Sequence, residues 1–237
     1  MTFVLKHNTP VDDIMIEWEV FANKWPYEFR QGHHVTLIGP TGSGKTLLAQ
    51  ELVKIRSNVV ALGIKHRDDS MRKLMHQGWT RISKWENRPR NASKLVLWPK
   101  ESDINKIQSV HKEVFGKMLA NIYRDGGWCI WTDELRYMTD MIGMRKAYQL
   151  MYVAGRSNNV SLVSAAQRPS HVPLEAYSQA QHLILFRTGD ERDLVRLGGL
   201  NGNNARQIAA MVASLPHHHF LHVNLNDGSH SISTLKV

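Results

Sequence analysis

The chain is poor in cysteine, in acid and in long apolar runs. Cys129 is its only cysteine, so no intrachain disulfide can form and the composition suits a reducing compartment. That thiol lies in the apolar run Trp128–Thr132, where cysteine usually serves as a small hydrophobe. No stretch of roughly 18 or more apolar residues occurs, so no membrane-spanning helix is expected. The apolar part of Met1-Thr2-Phe3-Val4-Leu5-Lys6-His7 is too short for a signal peptide, and a cytoplasmic protein is the expectation. There is no internal repeat, no low-complexity tract and no evident linker. Acids number 21 against 30 Lys and Arg, a formal charge of +9. Such an excess points to an anionic partner, most often nucleic acid. With 42% hydrophobic residues, the 237-residue chain is globular and long enough for one sizeable α/β domain.

The most specific feature present is Gly39-Pro40-Thr41-Gly42-Ser43-Gly44-Lys45-Thr46. It matches the phosphate-loop pattern G-x-x-x-x-G-K-[ST] in full. Glycines let the backbone approach phosphates with no side chain in the way. Successive N–H groups make an anion nest, and the following helix adds its positive end. Lys45 supplies a point charge for the β- and γ-phosphates, and Thr46 a hydroxyl for Mg²⁺. The flanks fit, with a buried strand at 34–38 and an amphipathic helix at 47–54.

Further apolar runs predict strands at 58–64, 95–98, 128–132, 161–167 and 182–187, and a closing hairpin of 220–224 with 231–235 around Asn226-Asp227-Gly228. Helical spacing covers 14–21, broken at Trp25-Pro26, and also 103–124, 144–154, 190–197 and 203–213. Residues 65–94 are polar and basic without clear periodicity. Alternating strands and helices imply a largely parallel sheet covered on both faces.

The strand at 128–132 ends in Asp133-Glu134. A carboxylate at that position can hold Mg²⁺. Adjacent side chains on extended backbone point different ways, so Asp133 can face the metal while Glu134 faces an attacking water. Gln167 ends the next strand, where a polar side chain could hydrogen-bond the γ-phosphate or the lytic water. Arg156, in Ala154-Gly155-Arg156-Ser157, could be offered to a neighbour's γ-phosphate, a contribution worth roughly 10³–10⁵ in rate.

Taken together, Gly39–Thr46, Trp128–Glu134, Gly155-Arg156-Ser157 and Ala165-Ala166-Gln167-Arg168-Pro169 resemble the FtsK/HerA superfamily of DNA-pumping ATPases, over about residues 34–225. Alanine stands at 166 where threonine is common in that family. Lys65 resembles its basic residue after the second strand, but the usual preceding acid-proline is replaced by Gly63-Ile64. The resemblance implies a RecA-like (ASCE) P-loop NTPase domain over 34–237, preceded by a lead-in at 1–33. It implies ATP and Mg²⁺ as ligands, with Gly39, Pro40, Thr41, Gly42, Ser43, Gly44, Lys45, Thr46 and Asp133 binding nucleotide. Thr46 and Asp133 would hold the metal. Glu134 would be the base, Gln167 the γ-phosphate sensor and Arg156 the trans finger. It also implies a homo-oligomeric ring, hexameric or pentameric, acting on DNA. Arg187 could be a second sensor or half of a structural ion pair.

DNA contacts are harder to place. Arg81 and Lys84 lie in the basic stretch with Trp79 and Trp85, which could stack bases. Arg136, Arg145 and Lys146 follow the acidic pair and could line a channel. His217-His218-His219 with His222 invites a metal reading, with strand alternation putting His217 and His219 on one face and His218 opposite, but no cysteine pair or clustered acid completes a site. At this size, with no membrane, DNA-reading or nuclease module, the expected function is a viral genome-packaging motor docking on a capsid portal or vertex. The alternatives are a filamentous-phage assembly or conjugation-type ATPase, and a non-motor nucleotide switch or kinase.

Overall fold

Continuous apolar runs of four to six residues suit strands buried on both faces. In the computed structural model, which describes residues 14–198 and 205–235, Val35–Ile38 (β1), Val59–Leu62 (β2), Cys129–Thr132 (β5), Ser161–Ala166 (β6) and His182–Phe186 (β7) are buried along their whole lengths. With Thr80–Ile82 (β3) and Lys94–Leu97 (β4) they form a parallel sheet, extended by the antiparallel His219–Asn224 (β8) and His230–Thr234 (β9). The order is β3-β4-β2-β5-β6-β1-β7-β8-β9.

Alternation along the strands divides the core in two. Val35, Leu37, Val59, Ala61, Cys129 and Trp131 face one layer, and Ile38, Val60, Leu62 and Ile130 the other. The first layer is covered by Trp18–Glu28 (α1), Lys45–Val53 (α2) and Asp69–His76 (α3). The second is covered by Ile107–Asp125 (α4), Arg145–Ala154 (α5), Glu175–Ser178 (α6), Glu191–Gly198 (α7) and Ala205–Ser214 (α8). Strand register sets which residues emerge side by side from the sheet. Ile38 pairs with Ala166, and Thr132 with Ser164. Gly39, Asp133 and Gln167 therefore leave the sheet at one edge, with β6 between the phosphate-loop strand and the acidic strand.

The structure departs from the sequence reading in three places. The helix expected over 14–21 begins at Trp18 and runs through Trp25-Pro26 to Glu28. Pro26 costs one backbone bond two residues from a helix end, where Phe29 N–H still reaches Trp25 O at 2.9 Å. The burial of Trp25, whose indole donates to Leu52 O at 3.0 Å, holds that turn to the core. The stretch 65–94 contains α3 and β3. Asp68 caps α3, accepting from Ser70 N–H and Met71 N–H at 3.0 and 3.2 Å. Trp85 is buried, 5.1 Å from the Trp128 ring, so it is a core residue with no face for a base. Met1–His7, and residues 203–204 at the start of the last expected helix, lie outside the described residues.

Candidate active site

The loop after β1 can take its path only with glycine at defined points. A Cβ on Gly39 would lie 2.5 Å from Phe186 Cβ, and Gly44, at φ +102, caps α2 in the left-handed region. The lysine that opens α2 is thereby turned back under the loop. Lys45 Nζ donates to Gly39 O at 2.7 Å and to Pro40 O at 2.8 Å, and is buried. Burial pushes its pKa down, with Asp133 and Glu134 opposing.

Thr46 Oγ1 lies 2.9 and 3.0 Å from the two carboxylate oxygens of Asp133, so α2 and β5 meet at this pair. Burial raises the Asp133 pKa above the usual carboxylate range, opposed by the Thr46 hydroxyl, Lys65 and Lys45. A half-buried acid with a hydroxyl alongside suits a hard divalent cation with oxygen ligands, so these two residues fit Mg²⁺. Beside them Gln167 Nε2 donates to Glu134 Oε2 at 2.7 Å. A cavity of about 290 Å³ is lined by Lys45, Thr46, Asp133, Glu134 and Gln167, together with Thr41, Gly42, Gly44, Lys65 and Asp68. Asp68 went unread in the sequence; its signal was an acid three residues ahead of Met71, a helix cap within the basic stretch.

Similarity to solved structures covers nearly the whole chain. The genome packaging NTPase B204 of Sulfolobus turreted icosahedral virus 2, in complex with AMP, aligns with a TM-score of 0.64 at 17% identity, over 88% of this chain and all of B204 (100%). VirB4 of Thermoanaerobacter pseudethanolicus aligns at 0.65 and 11% identity, over 86% of this chain and 89% of its own. The fold is that of a P-loop NTPase. The pCW3 conjugation coupling protein TcpA, with ATPγS, aligns at 0.50 and 15% identity, over 85% of this chain and 59% of TcpA. The family model for magnesium chelatase subunit ChlI matches residues 30–92, the segment around the phosphate loop. No curated protein matches the chain.

The remaining candidates lie elsewhere on the chain. Arg156 is exposed in a 3-10 turn, Gly155–Asn158, just before β6 begins. Its carbonyl is 3.0 Å from where a Gly32 Cβ would be, in the turn ahead of β1. The six residues of β6, spanning about 20 Å, separate it from the cavity of its own subunit. Arg168 is tied to Asp190 and, at 3.2 Å, to Asp193. Arg187 makes no ion pair among the described residues and lines a second cavity of about 360 Å³ across the loop, with Pro40–Ser43 and His217–His219.

The basic candidates fall into two groups. Arg81 stacks over Trp98 on edge strand β3, 4.5 Å from the ring, and Lys84 is exposed nearby in sequence. Arg136 and Arg145 both reach Asp140, and Lys146 is exposed at the start of α5. The histidine alternation is corrected. His217 and His218 precede β8, and His218 has φ +61, so strand geometry does not govern them. His222 turns inward to His182 and Glu28. Among the described residues no helix is long and apolar enough to cross a membrane.

Proposed function

We propose that this NTPase hydrolyses ATP to drive DNA, duplex rather than single-stranded, into a preformed viral shell, acting as a homo-oligomeric ring. The observation that carries this reading is the pairing of Thr46 with Asp133 and of Gln167 with Glu134 at one cavity, where the first turn of α2 meets the ends of the adjacent strands β5 and β6. Loop N–H groups and Lys45 bind the phosphates, the lysine exchanging two neutral carbonyls for anionic oxygens. Thr46 and Asp133 would hold Mg²⁺, which would supply charge to neutralise the phosphates. Glu134 accepts the proton of the attacking water. Its Oε2 is engaged by the Gln167 amide. A γ-phosphate within reach of that amide competes for it and frees Glu134, so base activation follows substrate occupancy.

Arg156 lies too far from its own cavity to serve there, which favours a role across a subunit boundary in a ring. The +9 charge suits a polyanion. Similarity to B204 over that protein's whole length favours packaging. VirB4 and TcpA keep a conjugation-type role as the second reading.

Steady-state ATPase rate against protein concentration, with and without linear duplex DNA, tests the proposal. A rate per subunit that rises with both supports an interface-completed translocase. A flat rate indifferent to DNA overturns it in favour of a nucleotide switch or kinase.

A further inference from the structure

At the other end of the sheet from the nucleotide cavity, three donor side chains from three distant segments converge. His182 opens β7 and is fully buried, His222 lies within β8 at 4% exposure, and Glu28 is the last residue of α1. One donor atom from each lies within 4.8 Å of the other two. His182 Nδ1 is 3.1 Å from His222 Nε2, and Glu28 Oε2 is 3.8 Å from His222 Nδ1. A cavity of about 220 Å³, lined by Glu28, His222, His230 and Ser229, reaches the cluster from solvent.

His182 Nε2 faces Glu28 O at 3.1 Å, an obligate acceptor, and His33 Nδ1 at 3.3 Å, so that nitrogen carries the proton and Nδ1 a lone pair. That lone pair faces His222 Nε2 at 3.1 Å, while His222 Nδ1 lies 3.8 Å from the Glu28 carboxylate, beyond hydrogen-bonding distance. The two facing ring nitrogens are already near the separation of about 3.3 Å expected of neighbouring tetrahedral ligands at 2.0–2.1 Å from a metal. Glu28, less buried and at a helix end, has the freedom to close the remaining gap.

We propose that His182, His222 and Glu28 bind one divalent transition-metal ion of the Zn²⁺ class, with the fourth position open to water from the cavity. Two imidazoles and a carboxylate are a donor set that Zn²⁺ accepts and that Mg²⁺, which prefers oxygen, does not. The ion would pin the end of α1 to β7 and β8, joining residues 28, 182 and 222 far from any nucleotide contact. Such a tie is expected to stabilise the folded chain through linkage between metal binding and folding.

The test uses the full chain without an affinity tag, with His217, His218 and His219 changed to alanine to remove the histidine run at the other cavity. The protein is stripped with chelator and titrated without nucleotide, with Zn²⁺ by calorimetry and with Co²⁺ by visible absorption. The proposal expects one equivalent, a tetrahedral Co²⁺ spectrum and a higher Tm with metal. Glu28→Gln and His222→Gln are each expected to weaken binding at least about tenfold, while Lys45→Ala leaves it unchanged. Should His222→Gln fail to fold, Glu28→Gln, at the less buried ligand, still decides. Absence of a stoichiometric complex, or one that survives both substitutions or is lost with Lys45→Ala, overturns the proposal.

Discussion

Replacing Glu134 with glutamine is expected to separate nucleotide binding from hydrolysis. The substitution preserves the size of the side chain and can still accept the Gln167 amide proton, which now reaches Glu134 Oε2 at 2.7 Å. It removes only the ability to take a proton from water. A positioned general base contributes typically 10²–10⁴ in rate, or about 3–5 kcal/mol on the barrier. Binding is expected to hold. The groups placed for phosphate are Lys45 and the loop backbone, and Thr46 and Asp133 remain joined. Loss of one negative charge at the cavity should slightly favour a polyanionic ligand. A fluorescent ATP analogue measures the affinity, and single-turnover hydrolysis with excess enzyme measures the chemical step free of product release. Glu134→Gln within tenfold of the wild-type single-turnover rate would remove Glu134 from the base role.

Arg156→Ala is expected to abolish DNA-stimulated turnover in homogeneous protein, yet to be complemented when mixed with Lys45→Ala subunits that still supply Arg156; normal turnover of the homogeneous variant would refute the trans role. Gly39→Ala drives a methyl to 2.5 Å from Phe186 Cβ, so urea unfolding should show a loss of about 1–3 kcal/mol, and an unchanged midpoint would contradict that packing. Stability should fall as pH drops from 6.5 towards 4. His34 Nδ1 accepts from Leu162 N–H at 3.1 Å and its Nε2 faces Tyr152 O at 3.2 Å, and burial brings its pKa from 6.5 down to about 4. The unfolded chain thus binds the extra proton first, and the stability present above pH 6.5 is lost through that window, by about 3 kcal/mol for His34 alone. The fall between pH 7 and 4 is expected to be shallower in His34→Gln than in the wild type, the remainder coming from other buried histidines such as His222, also brought down to about 4, and equal falls in the two proteins would refute the assignment to His34.

The candidate phosphate loop was legible because the chemistry proposed for it demands a contiguous octapeptide. The strand-end residues Asp133 and Gln167 could be read because each follows a short, largely apolar run whose register carries it to the end of the sheet. Other elements left weaker traces. Helix α3 presents only Met71 and Leu74 to the core, amid basic residues, and β3 is a three-residue edge strand with Arg81 exposed. Trp85 looked available for stacking because burial is a tertiary property. The Trp25-Pro26 break misled because proline near a helix end forfeits one bond, which aromatic packing outweighs. The cluster of Glu28, His182 and His222 depends on contacts between distant segments, and no local pattern announces it.

The measurement that bears most directly on the central claim is displacement of a triplex-forming strand from linear duplex DNA. The account predicts that the assembled wild-type protein, with ATP and Mg²⁺, releases the third strand at a rate that grows with ATP hydrolysis and vanishes in Glu134→Gln. Vigorous DNA-stimulated hydrolysis with no displacement above the Glu134→Gln background would contradict it.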